Sequence, residues 1–495
     1  MKMNDLLTGL ENYQITGDEN VEITSIAYDS RKVRQGSLFV CIDGFVSDGH
    51  EYIKQATDAG AAAIMVQKES DCHGATCIMT PDTRIGLAVV SANYFDNPSA
   101  KLHMIGVTGT KGKTTATFMI NSVLEHAGRK TALIGTILNK IGEETVYASR
   151  TTPESYELQA MLDECVTKKI DDCIMEVSSQ GLWLHRVYGC NYDIGVFTNL
   201  YNDHIGPNEH ENMEDYALAK AMLFTRVSNG VVNIDADYSQ LMIDTVSSSA
   251  KAKLWTIGID NDAMIMARDI KPIFTENRVG TEFTVTSPWY NAKIFVGMPG
   301  KFNVYNALSA IACAGIMGIG LESVQASLSE ITVSGRVQPV KTGRNFQVIV
   351  DYAHNAASLE NILNTLRDYV TGRLVCVFGC GGDRAKSRRF EMGEVSGRLS
   401  DFTIITSDNP RTENPESILS DIETGIKKTD GSYLKVPDRT QAIRTAILMA
   451  KDGDVIVIAG KGHETYQIFA DKTIHYDDVE VARSILGEMG STDKS

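Results

Sequence analysis

The chain has 495 residues, which at roughly 100–200 residues per domain predicts about three domains. It is 43% hydrophobic and 22% charged, with 41 Gly and 11 Pro, a globular balance that excludes a mainly disordered, collagen-like or coiled-coil chain. Lys and Arg number 47 against 63 Asp and Glu, a formal charge of -16, which argues against broad nucleic-acid binding and leaves room for local basic pockets that take a small anion.

The opening stretch MKMNDLLTGLENYQITGDE is acidic and lacks a long apolar core, so no secretory signal is expected. No run of about 18 apolar residues predicts a membrane span. Residues 1–100 carry strand candidates GSLFVCI and AAAIMVQ, with a helix at HEYIKQATDAG between them. At Lys101 the pattern changes: LHMIGVTG reads as a buried strand, followed by a Gly-rich turn, a helix TTATFMINSVLEHAG and a strand TALIGTI. Helix SYELQAMLDECVTKK, strands CIMEVSS and DIGVFTNL, and helix MEDYALAKAMLFTRV follow. A less regular stretch then runs to Phe302, and KFNVYNALSAIACAGIMGI is a helix that closes the block. After the turn-like SGR at 334–336, the runs VIVDYA, LVCVFGCG, DFTIITSDN and DVIVIAGKG predict four strands with helices between them. Apolar β-branched runs alternating with amphipathic helices predict an α/β fold with largely parallel sheets. The predicted blocks are 1–100, 101–335 and 336–495, the last Rossmann-like, and only the tail GSTDKS is expected to fray. The nine cysteines are scattered, several in apolar runs, and are expected as buried reduced thiols of a cytoplasmic protein. Cys376 and Cys380 lack a second pair, so no zinc site is expected.

Between the strand LHMIGVTG and its helix lie Thr108, Gly109, Thr110, Lys111, Gly112, Lys113, Thr114 and Thr115. This is where a phosphate loop must sit, with backbone N–H groups and a helix N-terminus turned to the phosphates. Lys113 would reach the terminal phosphates, and Thr114 would place a hydroxyl on Mg²⁺. Val107 stands where the strict pattern has Gly. The loop alone indicates a nucleoside triphosphate and no particular reaction.

T-G-T-K-G-K-T-T resembles the loop of the Mur ligases, ATP-dependent amide-forming enzymes of peptidoglycan assembly. Matching motifs follow in order over nearly the whole chain: DSR at 29–31, TTPE at 151–154, MEVSS at 175–179, TNLYNDH at 198–204, YALAKAMLF at 216–224, FNVYNAL at 302–308, SGR at 334–336, DYAHN at 351–355, GCGGDR at 379–384, DNPR at 408–411 and GKGHE at 460–464. The resemblance implies a three-domain architecture: a UDP-substrate domain, a central P-loop ATPase and a C-terminal amino-acid domain. It also implies that ATP converts a substrate carboxylate to an acyl phosphate, which an amine then attacks. Two dense anions meet in the first step, so cations must neutralise them.

Glu176 lies at the end of the apolar strand CIMEVSS and with Thr114 would bind one Mg²⁺; His204, read as ending another such strand, would bind a second. The resemblance further implies that Lys220 is carbamylated, an anion near the metal. Taken alone, Lys220 reads as a solvated helix lysine and His204 as a loop residue. A lysine of lowered pKa can react with CO₂. Ser30, Thr151, Thr152, Ser178 and Arg186 resemble residues that hold UDP-N-acetylmuramoyl-L-alanyl-D-glutamate. Asn303, Arg336, Asp351 and His354 resemble those that close over the nucleotide. Asp408, Asn409, Pro410 and Arg411, with Arg389, Gly460 and Glu464, resemble the amino-acid site of the members that add meso-diaminopimelate, whose second carboxylate rewards an arginine. Leu184, Gly206 and Phe390 stand where the family often has Gln, Asp and Pro. The rival readings are the same ligation with L-lysine or another diamino acid, a folylpolyglutamate synthase-like ligase, and a non-catalytic nucleotide switch. A cytoplasmic monomer without nucleic-acid partners is expected.

Overall fold

The computed structural model describes residues 1–148, 150–275 and 278–492. They form two compact units, Met1–Met266 with Leu308–Ser323, and Ala267–Ala307 with Val324–Ser495.

The first unit contains two sheets. A five-stranded sheet runs in the order Gln14–Thr16, Thr76–Met79, Ala63–Val66, Ser37–Val40, Ser25–Ala27. Only the Gln14–Thr16 pairing is antiparallel. Ser37–Val40 and Ala63–Val66 are buried at every position, as parallel strands covered on both faces must be. One face packs on Leu6, Leu87 and Val90, the other on Ile53 and Ala56. The helix Thr83–Tyr94 starts at Asp82, whose carboxylate accepts from the N–H groups of Arg84 and Ile85. It buries Leu87, Ala88, Val89, Val90 and Ala92, too wide an apolar face to show helical periodicity in the sequence.

The central sheet places His103–Thr108 between Asp172–Glu176 and Tyr192–Phe197, all parallel. Thr131–Ile134 lies outside Asp172–Glu176, while Val227–Asn233 and Lys253–Gly258 lie outside Tyr192–Phe197. The stretch expected to be irregular is largely β: Lys253–Gly258 with a helix at Ser239–Ser247 in the first unit, Ile265–Thr275, nearly all of it in the second, and Arg278–Thr286 and Asn291–Val296 in the second. The last two strands pair antiparallel and carry exposed Arg278 and Lys293, so they lack the apolar runs that mark buried strands. The helix predicted through Val227 ends at Ala221. A 3₁₀ turn, Met222–Arg226, follows, and Val227 opens a strand.

The second unit holds a six-stranded sheet in the order Gln338–Val340, Gln347–Asp351, Val455–Ala459, Leu374–Phe378, Phe402–Ile405, Tyr433–Lys435, with the first pairing antiparallel. Ala459 is in register with both Asp351 and Phe378, and Phe378 with Ile405. The loops that follow these four strands therefore emerge side by side at one carboxyl edge, where open α/β sheets bind ligands. Beneath that edge, Arg439 is fully buried against Asp478. Its Nε and Nη2 donate to the two carboxylate oxygens at 2.7 Å each, and Nη1 and Nη2 donate to the carbonyls of Ser407 and Ala459. Arg439→Met strands the Asp478 charge, and should cost about 3–5 kcal/mol. Arg439→Met/Asp478→Leu should recover much of that loss; urea titrations of the two variants check it.

Seven cysteines are free and buried, as expected. Cys72 and Cys77 depart from the expectation: their sulfurs are bonded across the turn that leads into Thr76–Met79, with Cα atoms 5.9 Å apart. The final helix runs Asp478–Thr492, so Gly490, Ser491 and Thr492 of the tail expected to fray are helical, and Asp493, Lys494 and Ser495 lie outside the described residues. Among the described residues no helix is long and apolar enough to cross a membrane.

Candidate functional site

The phosphate loop leaves the central strand of the first unit at Thr108 and enters the helix Lys113–His126. Gly112 lies at φ 83°, a left-handed conformation that glycine adopts without a Cβ clash. Lys113 Nζ donates to the carbonyls of Gly109 and Thr110 at 2.8 and 3.1 Å. Lys220 Nζ donates to the same Gly109 carbonyl at 2.9 Å and sits 4.3 Å over the Tyr216 ring. Lys220 is 1% exposed. Burial, with the neighbouring Lys113 charge, holds its ammonium well below the ordinary lysine range.

Glu176 ends the adjoining strand. Thr114 Oγ1 lies 3.0 Å from both of its carboxylate oxygens, and Thr136 donates to it through both N–H and hydroxyl. The Thr114 hydroxyl and the Glu176 carboxylate are hard oxygen donors side by side, the set that suits Mg²⁺. Among the described residues no three His, Cys, Asp or Glu side chains converge as metal ligands, so the fit is to a cation that keeps most of its waters, as Mg²⁺ does.

Thr151, Thr152, Ser178 and Arg186 gather around Glu176. The Thr151 and Thr136 hydroxyls are 3.0 Å apart, and the Thr152 hydroxyl lies 3.0 Å from the Glu176 carbonyl and 3.1 Å from the Ser178 hydroxyl. Arg186 pairs with Glu154 at 2.9 Å and donates to the Thr152 carbonyl. Two expected residues stand apart from this network. Ser30 donates to Gln55. His204, expected at a strand end, lies in the loop beyond Phe197, half-exposed and bonded to Glu209, with its ring 5.9 Å from Tyr216.

In the second unit, Arg336, Asp351 and His354 surround Tyr352. The Arg336 guanidinium is 5.0 Å over its ring, and the His354 and His463 rings lie 4.6 and 4.7 Å away. Asp351 accepts from the N–H groups of Val337 and Ala353, and burial raises its pKa above the usual carboxylate range. His463 is driven down to about 4 by burial and by the Arg336 charge, so its ring is neutral at pH 7. Tyr352 and His463 sit inside the quoted motifs DYAHN and GKGHE but had been given no role. Asn303 is fully buried and bonds the Pro299 carbonyl and Asn306.

Asp408, Asn409, Pro410 and Arg411 occupy the loop after Phe402–Ile405, and Gly460 and Glu464 the loop after Val455–Ala459. Arg411, at φ 52°, donates to the Gly382 carbonyl. The Asp408 carboxylate is buried and makes no hydrogen bond among the described residues; desolvation raises its pKa despite the nearby Lys461 and Arg439 charges. Gly460 lies at φ 115°, and a Cβ there would sit 2.7 Å from Asp408 Oδ2, so only glycine keeps that cradle open.

Arg389 is 1% exposed; its Nη2 and Nη1 bond Glu413 and Asp421 at 2.6 and 2.9 Å, while its buried Nε has no hydrogen-bond partner among the described residues. Arg384, the last residue of GCGGDR, is exposed. A Cβ on Gly381 would lie 2.9 Å from Arg411 Nη1 and 3.9 Å from Arg384 Cγ, so the two arginines flank Gly381. The motif carried the signal for Arg384, but burial, which separates the two arginines, is not visible in it.

Comparison with known proteins follows the same division. Residues 22–119 match the model described as Mur ligase family, catalytic domain; 107–314 match Mur ligase middle domain; and 335–462 match Mur ligase, glutamate ligase domain. The chain is 45% identical over 490 residues to UDP-N-acetylmuramoyl-L-alanyl-D-glutamate--2,6-diaminopimelate ligase of Caldanaerobacter subterraneus subsp. tengcongensis, covering 99% of each chain. It is 43% identical over 492 residues to the protein of that name from Clostridioides difficile, covering 99% of this chain and 100% of that one. A solved structure of a ligase with this name superimposes with a TM-score of 0.73 at 30% identity, over 94% of this chain and 95% of that one. A folylpolyglutamate synthase from Mycobacterium tuberculosis shares the fold alone, with a TM-score of 0.59 at 17% identity over 82% of this chain and 95% of that one.

Proposed function

The chain belongs to the Mur ligase family, and on that premise we propose that it joins meso-diaminopimelate to UDP-N-acetylmuramoyl-L-alanyl-D-glutamate, with cleavage of ATP to ADP and phosphate. Residues 1–100 take the UDP end of the acceptor, 101–335 the ATP, and 336–495 the amino acid. The enzyme acts in the cytoplasm as a monomer. The observation that carries the reading is the carboxyl edge of the second unit's sheet. There Arg411 and Arg384 flank Gly381, while Asp408 and Glu464 present carboxylates from the neighbouring loops. Forked cations beside carboxylates match an amino-acid end bearing both a carboxylate and an ammonium.

In the first half-reaction the acceptor carboxylate oxygen bonds to the γ-phosphorus of ATP and the bond to ADP breaks. The phosphate loop and Lys113 meet the charge that develops on the transferred group. Thr114 and Glu176 would hold Mg²⁺, with His204 and Lys220, as its carbamate, completing the surroundings; the ion neutralises phosphate charge when bound. Thr151, Thr152, Ser178 and Arg186 keep the acceptor against this group. Asn303, Arg336, Asp351 and His354 hold the nucleotide. In the second half-reaction the neutral amine of the amino acid attacks the acyl carbon, phosphate leaves, and the amine proton passes to solvent.

Arg411→Ala should raise the KM for meso-diaminopimelate by a factor of roughly 30 or more, because losing one partner of a partly buried Arg–carboxylate pair costs about 2–5 kcal/mol. The KM for ATP should barely change, and the preference over L-lysine should shrink. Arg384→Ala should act in the same direction. Steady-state kinetics with varied amino acid test this; an unchanged KM for diaminopimelate in both variants contradicts the assignment of the amino-acid site.

A further inference from the structure

The loop after Val455–Ala459 carries a lysine to which the reaction above assigns no part. The Lys461 side chain is fully buried. Its Nζ lies 3.2 Å from Asn409 Oδ1 and 3.3 Å from Glu464 Oε2, and 5.5 Å from the Tyr466 ring centre. Asn409 Oδ1 also accepts from the Ile468 N–H at 3.0 Å, and Asn409 Nδ2 donates to Glu464 Oε2 at 2.9 Å. Two donors converge on Asn409 Oδ1, so the amide cannot flip, and its NH₂ group must face Glu464. Glu464 Oε2 in turn takes both Lys461 and Asn409, which leaves Oε1 for an incoming group. The Gln467 side chain donates to the Asp408 carbonyl at 2.7 Å, so the loop pair is stitched on the Asp408 side as well.

Burying an ammonium costs several kcal/mol, and an apolar side chain of similar length fills such a place at lower cost. Packing alone therefore gives no reason for a charge here. The charge has a directional effect: it sets one orientation for the two side chains, Asn409 and Glu464, that border the unpaired Asp408 carboxylate.

We propose that Lys461 is a positioning residue for the amino-acid substrate, acting through Asn409 and Glu464 to present Glu464 Oε1 and Asp408 together to the substrate ammonium. The inference rests on the assignment of this sheet edge to the amino acid. It does not rest on which amino acid binds there.

The test compares the parent, Lys461→Met, Glu464→Gln and the double variant, using whichever amino acid the parent ligates. A parent that prefers L-lysine removes the diaminopimelate reading and leaves the Lys461 test intact. Lys461→Met should raise the KM for the amino acid by about 10–100-fold, with the KM for ATP and for the UDP-linked dipeptide within about twofold and kcat falling less than KM rises. On the Glu464→Gln background the same change should add less than about threefold, because the group through which Lys461 acts is already altered. Three results overturn the proposal: an unchanged KM for the amino acid, effects that multiply in full in the double variant, or a uniform loss across all three substrates with a lowered melting temperature. If Lys461→Met does not fold, Lys461→Gln, which can still donate to Asn409 but lacks the charge held by Glu464, should raise the KM for the amino acid selectively and by less than the Met variant; an unchanged KM for the amino acid, or an equal rise for all three substrates, overturns the proposal.

Discussion

Lys113→Ala is expected to lower ligation by about 10³-fold or more while leaving the melting temperature near that of the parent. The side chain lies over the carbonyls of Gly109 and Thr110 at the mouth of the phosphate loop. On the proposed function its ammonium meets charge on the transferred phosphoryl group. The loop's backbone N–H groups and the helix N-terminus remain in the variant, so nucleotide binding should weaken less than turnover. Single-turnover measurement of acyl phosphate formation separates the two effects. Turnover near the parental rate in a folded variant contradicts the phosphate-loop assignment.

Lys220→Ala is expected to lose turnover by about 10²-fold or more, and a small carboxylate such as formate in the buffer should restore part of it. Lys220 is buried beside Lys113, and both effects favour its neutral amine, the form that reacts with CO₂. A carbamate there would place an anion next to the Lys113 ammonium. Acidification protonates the amine and opposes carbamate formation, so CO₂-depleted enzyme should regain activity on adding bicarbonate more readily at pH 8 than at pH 6. A carbamate signal in ¹³C NMR with labelled bicarbonate, absent from Lys220→Ala, is the readout independent of activity. Full activity of Lys220→Ala without added carboxylate shows an ordinary buried lysine.

The parts legible in the sequence are those where a run of residue types maps onto one local geometry. The strand ending at Thr108, the glycines at 109 and 112 and the helix from Lys113 form such a case, as do the strands Leu374–Phe378 and Val455–Ala459 of the C-terminal sheet. Parallel strands buried on both faces must be continuously apolar, and these two are. The hairpin Arg278–Thr286 with Asn291–Val296 escaped notice because one face is solvated and charged. Within the site, residue types were readable and saturation was not. Arg389 carries the same fork as Arg411, and only the structure shows Glu413 and Asp421 on two of its three nitrogens. Lys461 reads as one more charged loop residue until its burial between Asn409 and Glu464 is known. The apolar run before His204 gives no sign that the strand stops at Phe197, so the sequence alone puts that histidine at a strand end.

The most direct test of the central claim is a ligation assay read by mass. The purified protein is incubated with ATP, Mg²⁺, UDP-N-acetylmuramoyl-L-alanyl-D-glutamate and an equimolar panel of meso-diaminopimelate, L-lysine, L-ornithine and L-alanine. The account predicts one main product, the UDP-linked dipeptide extended by a single diaminopimelate residue, with one phosphate released per product and none when the UDP-linked dipeptide is left out. A lysine-extended product in excess over the diaminopimelate one, or phosphate release that ignores the UDP-linked dipeptide, would contradict it.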